Sequence, residues 1–144
     1  MTTSDTERAD RDDIADVLVR YATGIDRRDW SRFRSCFTDD VDADYGDVGA
    51  WHGVDEITEY MTAVHAGLGH TLHRITNIVV DLDGDAATAR SYVDAFVMGA
   101  DGDGGAHPTG FYDDDLVRYP DGWRIARRRF TLVRFELVGA WAAG

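Results

Sequence analysis

The chain predicts an α+β fold, a curved antiparallel sheet wrapped over three N-terminal helices to make a cone. Three observations carry this reading. Residues 12–26 repeat apolar side chains at three- and four-residue spacing, the pattern of a helix with one buried face. Residues 71–137 form four long runs suited to strands, punctuated by Asp83-Gly84 and Pro120-Asp121-Gly122. Such turns join neighbouring strands into a meander. Helices and strands are also segregated along the chain, so a twisted sheet buries one face only by curling over the helices. The open end of that cone is a natural small-molecule pocket.

In chain order, residues 1–10 are polar and expected to be a disordered tail, which leaves 11–144 as a single domain. Asp12 or Asp13 caps the first helix, and Ile14, Val17, Leu18, Tyr21, Ala22 and Ile25 form its buried stripe. Asp26 follows Ile25 and lies four residues after Ala22, which puts it on the edge of the buried face. A short second helix runs from Asp29 to about Phe37, with Trp30, Phe33 and Phe37 inward and Cys36 a small core residue. A half-exposed strand at 41–45, a Gly-rich turn at 46–49 and a short strand at 50–52 precede the third helix. That helix opens at Gly53 and Asp55, runs to about Leu68, and presents Ile57, Met61, Val64 and Leu68 on one face. Strands are expected at 71–82, 86–99, 110–119 and 123–137. Residues 99–110, GADGDGGAHPTG, read as a flexible connection forming a rim over the pocket.

Composition excludes several classes. A chain of 144 residues holds one domain with a real core. A formal charge of −12 repels phosphate backbones, so nucleic acid is not an expected partner. One cysteine excludes an internal disulfide and fits a reducing compartment. The N-terminal stretch lacks the apolar core of a signal peptide, and no run reaches membrane-spanning length. A soluble, cytoplasmic protein with no membrane partner is the expectation. No HxH or HExxH spacing occurs, no nucleophile elbow, and no glycine-rich loop leading into a helix. Neither a metal nor any other cofactor is expected.

The candidate chemistry centres on His73, within HTLHRITNIVV at 70–80. A strand histidine is ordinarily a core residue satisfied by a backbone carbonyl. Asp26 alters that balance, because a carboxylate buried without a partner costs several kcal/mol. An imidazole partner relieves the cost, and the pair then holds His73 in one tautomer as a general base. Tyr45 ends the small strand and either faces the cone or joins the core. Tyr21 lies five residues before Asp26, about 140° round an ideal helix, and reads as a wall or core residue. Arg127, Arg128 and Arg129 must split between the faces of the last strand, so at least one points to the concave side. For any single arginine, an ion pair with a surface carboxylate is the plainer reading. Asp94 and Asp113 face the pocket or solvent according to register. Trp51, Leu68, Phe96, Met98 and Phe111 are expected as lining, which implies a bulky, mainly apolar ligand.

Several stretches resemble one family. YATGIDRRDWSRFR, DADY at 42–45, HTLHRITN, DGDAATARSY and YDDDLVRYPDGWRIARRRF are similar to segments of the SnoaL-like, scytalone dehydratase-like branch of the nuclear transport factor 2-like (cystatin-like) superfamily. The resemblance implies that Asp26 and His73 form a catalytic dyad. It implies further that Tyr45 helps polarise a substrate carbonyl and that Arg128 lies near a catalytic arginine position. Tyr21 and Asp26 match a Tyr–Asp spacing found in the same branch. The chain departs from scytalone dehydratase at Ile25, where a second active-site tyrosine stands. It departs again near Val97 or Met98, where a second histidine stands, and near Phe111 and Asp113, where Ser and Asn stand. The implied activity is a cofactor-independent lyase of dehydratase type. A polyketide cyclase or ketosteroid-type isomerase, and a non-catalytic small-molecule-binding domain, stay open as alternatives. A homodimer or homotrimer is implied as well, with the apolar tail at 135–141 as one packing surface.

Overall fold

The computed structural model describes residues 3–143. The elements are α1 (Thr3–Asp26), α2 (Trp30–Arg34), β1 (Phe37–Asp44), β2 (Ala50–His52), α3 (Val54–Ala66), β3 (Leu68–Asp83), β4 (Ala86–Gly99), β5 (Gly104–Tyr119) and β6 (Gly122–Gly139). They build the expected α+β cone around one six-stranded sheet, in the order β2-β1-β6-β5-β4-β3. The last four strands are the meander that the turn signals predict. β1 lies parallel to β6, with Ala43 opposite Arg128. That pairing joins the N-terminal hairpin to the closing strand and brings Tyr45 beside β6.

Bulges bend the sheet. Register slips between Thr76 and Val79 of β3, where Asn77 takes a φ of 52°, and twice along the β5–β6 ladder. A bulge kinks its strand and increases the local twist, so the concave face closes over α1. Ile14, Leu18, Tyr21 and Ile25 are buried there against Leu116 and Ile125. Each large apolar side chain so buried contributes roughly 1.5–3 kcal/mol. Gly24 lets α2 cross close to α1: a Cβ there would lie 2.9 Å from the Phe33 backbone nitrogen.

Three expectations need correction. The stretch read as a disordered tail is helical from Thr3, and residues 1–2 lie outside the described residues. Both carboxylate oxygens of Asp10 accept from the Arg118 guanidinium (2.7 and 2.8 Å), and Trp123 Nε1 donates to it at 3.2 Å. These bonds, chiefly those from Arg118, hold the Asp10 carboxyl below the usual carboxylate range. The partners lie 108 and 113 residues away along the chain, so nothing local marks the segment as ordered.

The second helix ends at Arg34, short of Phe37. Asp29 does cap it, accepting from the Arg32 N–H at 3.1 Å. Phe37 instead opens β1, paired with Ile125 of β6. Cys36 sits buried in the turn between them, and burial pushes its thiol up to about 11, as befits an inert core residue.

The connection at 99–110 is largely strand. Gly105 pairs with Met98 on one side and Val138 on the other. Pro108 lies within this strand. It has no N–H, and the β4–β5 ladder is interrupted there, between Asp94–Thr109 and Val97–Ala106.

Candidate active site

β3 is an edge strand, so one row of its backbone groups lacks a sheet partner. The C-terminal end of α1 covers that row. The His73 backbone N–H donates to Asp26 Oδ2 at 2.8 Å, and Thr71 Oγ1 donates to Oδ1 at 3.0 Å. His73 Nδ1 meets Asp26 Oδ1 at 2.7 Å. Arg28, whose φ of 55° turns the chain out of the helix, closes the assembly. Its guanidinium donates to Thr71 Oγ1 (2.7 Å), the Gly69 carbonyl (2.6 Å) and the Ile25 carbonyl (2.9 Å). Neither Thr71 nor Arg28 was picked out from sequence. Thr71 was legible, standing two residues before His73 and so on the same strand face. Thr71→Val is expected to cost about 1–2 kcal/mol by stranding the bonds on either side of the hydroxyl. A lower urea midpoint at unchanged slope would register it.

An ionised carboxylate only accepts hydrogen bonds. Three bonds into Asp26 therefore keep the His73 proton on Nδ1 and leave the lone pair on Nε2. The two side chains are 12% and 19% exposed. Among the described residues Nε2 has no partner, and the ring forms part of the wall of a cavity of about 360 Å³ inside the cone. Tyr60, Met61, Val64 and His65 of α3 form one side, with Val93, Ala95 and Val97 of β4 across from them in the sheet. Leu132, Phe135 and Val48, all exposed, stand at the same cavity.

Tyr21 and Tyr45 also reach this cavity, and their hydroxyls lie 2.7 Å apart. Burial raises the pKa of both, so they remain protonated near neutrality. In such a pair one O–H donates to the other oxygen and the second O–H is free to donate elsewhere. Arg128, expected at the concave surface, points inward but does not line the cavity. Its guanidinium lies 3.8 Å from the Tyr112 ring centroid and 4.2 Å from that of Tyr21. Both Asp114 oxygens accept from it, at 2.7 and 2.8 Å. Burial opposes the charge on Arg128, but the Asp114 carboxylate outweighs it and holds the guanidinium well above its usual pKa. The plainer reading, an ion pair, holds for this arginine, although the pair is buried and not on the surface.

Leu68 and Tyr21 line the cavity, whereas Trp51, Asp94, Phe96, Met98, Phe111 and Asp113 do not. Trp51 packs behind Tyr45 and against Tyr60, with ring centroids at 5.3 and 4.5 Å. Asp94, Phe96, Met98, Phe111 and Asp113 belong to the opposite sheet face. Asp94 pairs with Arg74 and His107, while Phe96 stacks on His107 at 4.3 Å. Arg90 covers the Phe111 ring and makes a bidentate pair with Asp113. Side chains alternate along a strand, so the inward set on β4 is Val93, Ala95 and Val97, and Met98 falls with the outward set. On β5, Tyr112 points inward.

Helices packed in the hollow of one curved six-stranded sheet are the cone fold of the nuclear transport factor 2-like class. The chain belongs to the SnoaL-like domain family, whose sequence profile matches residues 6–129. An uncharacterized protein of Mycobacterium tuberculosis is 35% identical over 124 residues, covering 85% of this chain and 84% of that protein. Among solved structures, a Novosphingobium aromaticivorans protein provisionally named an aromatic ring hydroxylase is 30% identical. It superposes with a TM-score of 0.82 over 92% of this chain and 94% of its own. A second protein from that organism, provisionally named a scytalone dehydratase, gives a TM-score of 0.86 at 20% identity, covering 93% and 91% of the two chains. A hexachlorocyclohexane dehydrochlorinase of Novosphingobium barchaimii gives 0.82 at 18% identity, covering 93% of each. At the last two identities the likeness is one of fold. Among the described residues, no helix is long and apolar enough to cross a membrane.

Proposed function

We propose that this protein is a cofactor-independent lyase of dehydratase type, acting on a bulky, mainly apolar small molecule that carries a carbonyl and a hydroxyl. One observation carries the reading: an Asp-oriented imidazole whose bare Nε2 stands at an apolar cavity. In this mechanism His73 Nε2 takes the proton next to the substrate carbonyl, and Asp26 stabilises the imidazolium that forms. The free O–H of the Tyr21–Tyr45 pair donates to the carbonyl oxygen as it gains enolate charge. The enolate re-forms its carbonyl by expelling the β-hydroxyl, which takes the proton back from His73. Water leaves, a conjugated double bond remains, and His73 returns to its starting state. Arg128 acts at one remove, its positive charge lying against the Tyr21 ring, and is a positioning residue in this scheme.

The family and the fold likeness to a dehydrochlorinase support elimination chemistry on this scaffold. The net charge of −12 favours neutral substrates over carboxylates. The test is mass spectrometry of products from a panel of cyclic β-hydroxyketones in deuterated water. Loss of one water from the mass, dependent on His73, is the expected outcome. Deuterium uptake with the mass otherwise conserved would replace the lyase with an isomerase or an aldol-type cyclase using the same base. No exchange and no product across the panel would count against catalysis altogether.

A further inference from the structure

The cavity holds a second imidazole that the proposed chemistry does not use. His65 stands in the last turn of α3, is 8% exposed, and contributes to the same wall system as His73 and the tyrosine pair. Its Nδ1 lies 2.7 Å from the Met61 carbonyl oxygen, four residues back along the helix. A carbonyl only accepts, so Nδ1 carries the proton and Nε2 carries a lone pair. The Trp30 ring meets the imidazole edge-on at 5.8 Å and 62°, which limits its rotation. Among the described residues Nε2 has no hydrogen-bond partner, and it is not fully buried. The ring that carries it lines the cavity.

We propose that His65 Nε2 is a substrate-binding acceptor, which selects ligands bearing a hydroxyl donor on the side that meets α3. The inference rests on reading this cavity as the substrate site, but not on the elimination step. The charged or titratable groups near His65 are Arg28, His73 and Asp26, and burial lowers its pKa. The ring is thus neutral near neutral pH and serves as an acceptor, not as an acid. A ligand carbonyl placed there meets a lone pair and gains nothing, whereas a hydroxyl makes a bond in a water-poor setting. Sites built around one buried hydrogen bond reject analogues that lack the partner group. The substrate class narrows accordingly, to a neutral cyclic or aromatic ketone that carries, besides the eliminated hydroxyl, a second hydroxyl or phenol.

The test uses 2-naphthol and 2-methoxynaphthalene, which differ only in the donor, with dissociation constants measured by calorimetry on the intact protein. The unmodified protein is expected to prefer 2-naphthol by about three- to tenfold, the worth of one hydrogen bond. His65→Phe should abolish that preference while holding 2-methoxynaphthalene within about twofold, on the same conversion of energy to affinity. His65→Gln, which restores an acceptor, should recover part of it. The Nε2 nitrogen resonance of His65 should move with 2-naphthol and stay put with the ether. Overturning results are a preference lost in His73→Phe and kept in His65→Phe, an equal loss for both ligands, or no binding of 2-naphthol by the unmodified protein. Because no turnover is read, failure here is separate from failure of the elimination chemistry.

Discussion

His73→Ala is expected to lower kcat/KM by about 10²–10⁴, the usual share of a positioned general base, while affinity for a product-like ketone changes little. The reason lies in the division of the ring's two nitrogens. Nδ1 belongs to Asp26 at 2.7 Å, which leaves Nε2 as the lone pair of a ring that lines the cavity, so its loss removes the proton acceptor and leaves the other walls intact. Asp26→Asn should cost a comparable factor for a different reason. Asp26 accepts three bonds, from the Thr71 hydroxyl, the His73 N–H and His73 Nδ1–H. An asparagine amide replaces one acceptor oxygen with a donor, which sets N–H against N–H or O–H and favours the wrong tautomer of His73. The charge that stabilises the imidazolium disappears as well. Steady-state kinetics on the β-hydroxyketone that the panel identifies provide the measurement. Turnover within a few-fold of the parent in either variant would remove His73 as the base.

The largest effect on stability is expected at the opposite side of the tyrosine layer. Asp114→Ala leaves the Arg128 guanidinium, 1% exposed, without its counter-ion. Breaking one partner of such a pair costs about 3–5 kcal/mol, because the surviving charge stays buried and uncompensated. In a domain of this size that lowers Tm by roughly 10 °C or more, a large part of a typical total stability of about 5–15 kcal/mol. Replacing both members, as Asp114→Leu with Arg128→Met, should recover most of the loss, since a matched apolar pair fills the space without a desolvated charge. Thermal and urea unfolding of the single and double variants decide the matter. A double variant no more stable than Asp114→Ala would mean that the cation–π contacts with Tyr21 and Tyr112, and not the ion pair, hold this region together.

Much of the architecture was legible along the chain because its causes are local. The Asp83-Gly84 turn and Pro120-Asp121-Gly122 punctuate the meander wherever the tertiary fold later places it. The stripe from Ile14 to Ile25 sets the buried face of α1, and helix geometry alone then puts Asp26 at its rim. His65 was visible as a helical histidine four residues after Met61, but nothing in that spacing told a cavity from a core.

What failed to be legible depended on partners far away in sequence. Asp10 looked like part of a polar tail until Arg118 and Trp123 came to it, and Phe37 left its helix for a parallel partner on β6. Phe96, Met98 and Phe111 read as pocket lining and Asp94 and Asp113 as facing either way, because alternation along a strand has no absolute sign. Only the docking of the sheet on α1, with bulges after Thr76 and Thr109, chose which set faces inward. The same choice turned Arg128 into the core beneath the tyrosines. The sequence by itself determined which residues share a face of each element. The tertiary structure decided which face meets the cavity, because burial is a property of neighbouring elements and not of any one strand.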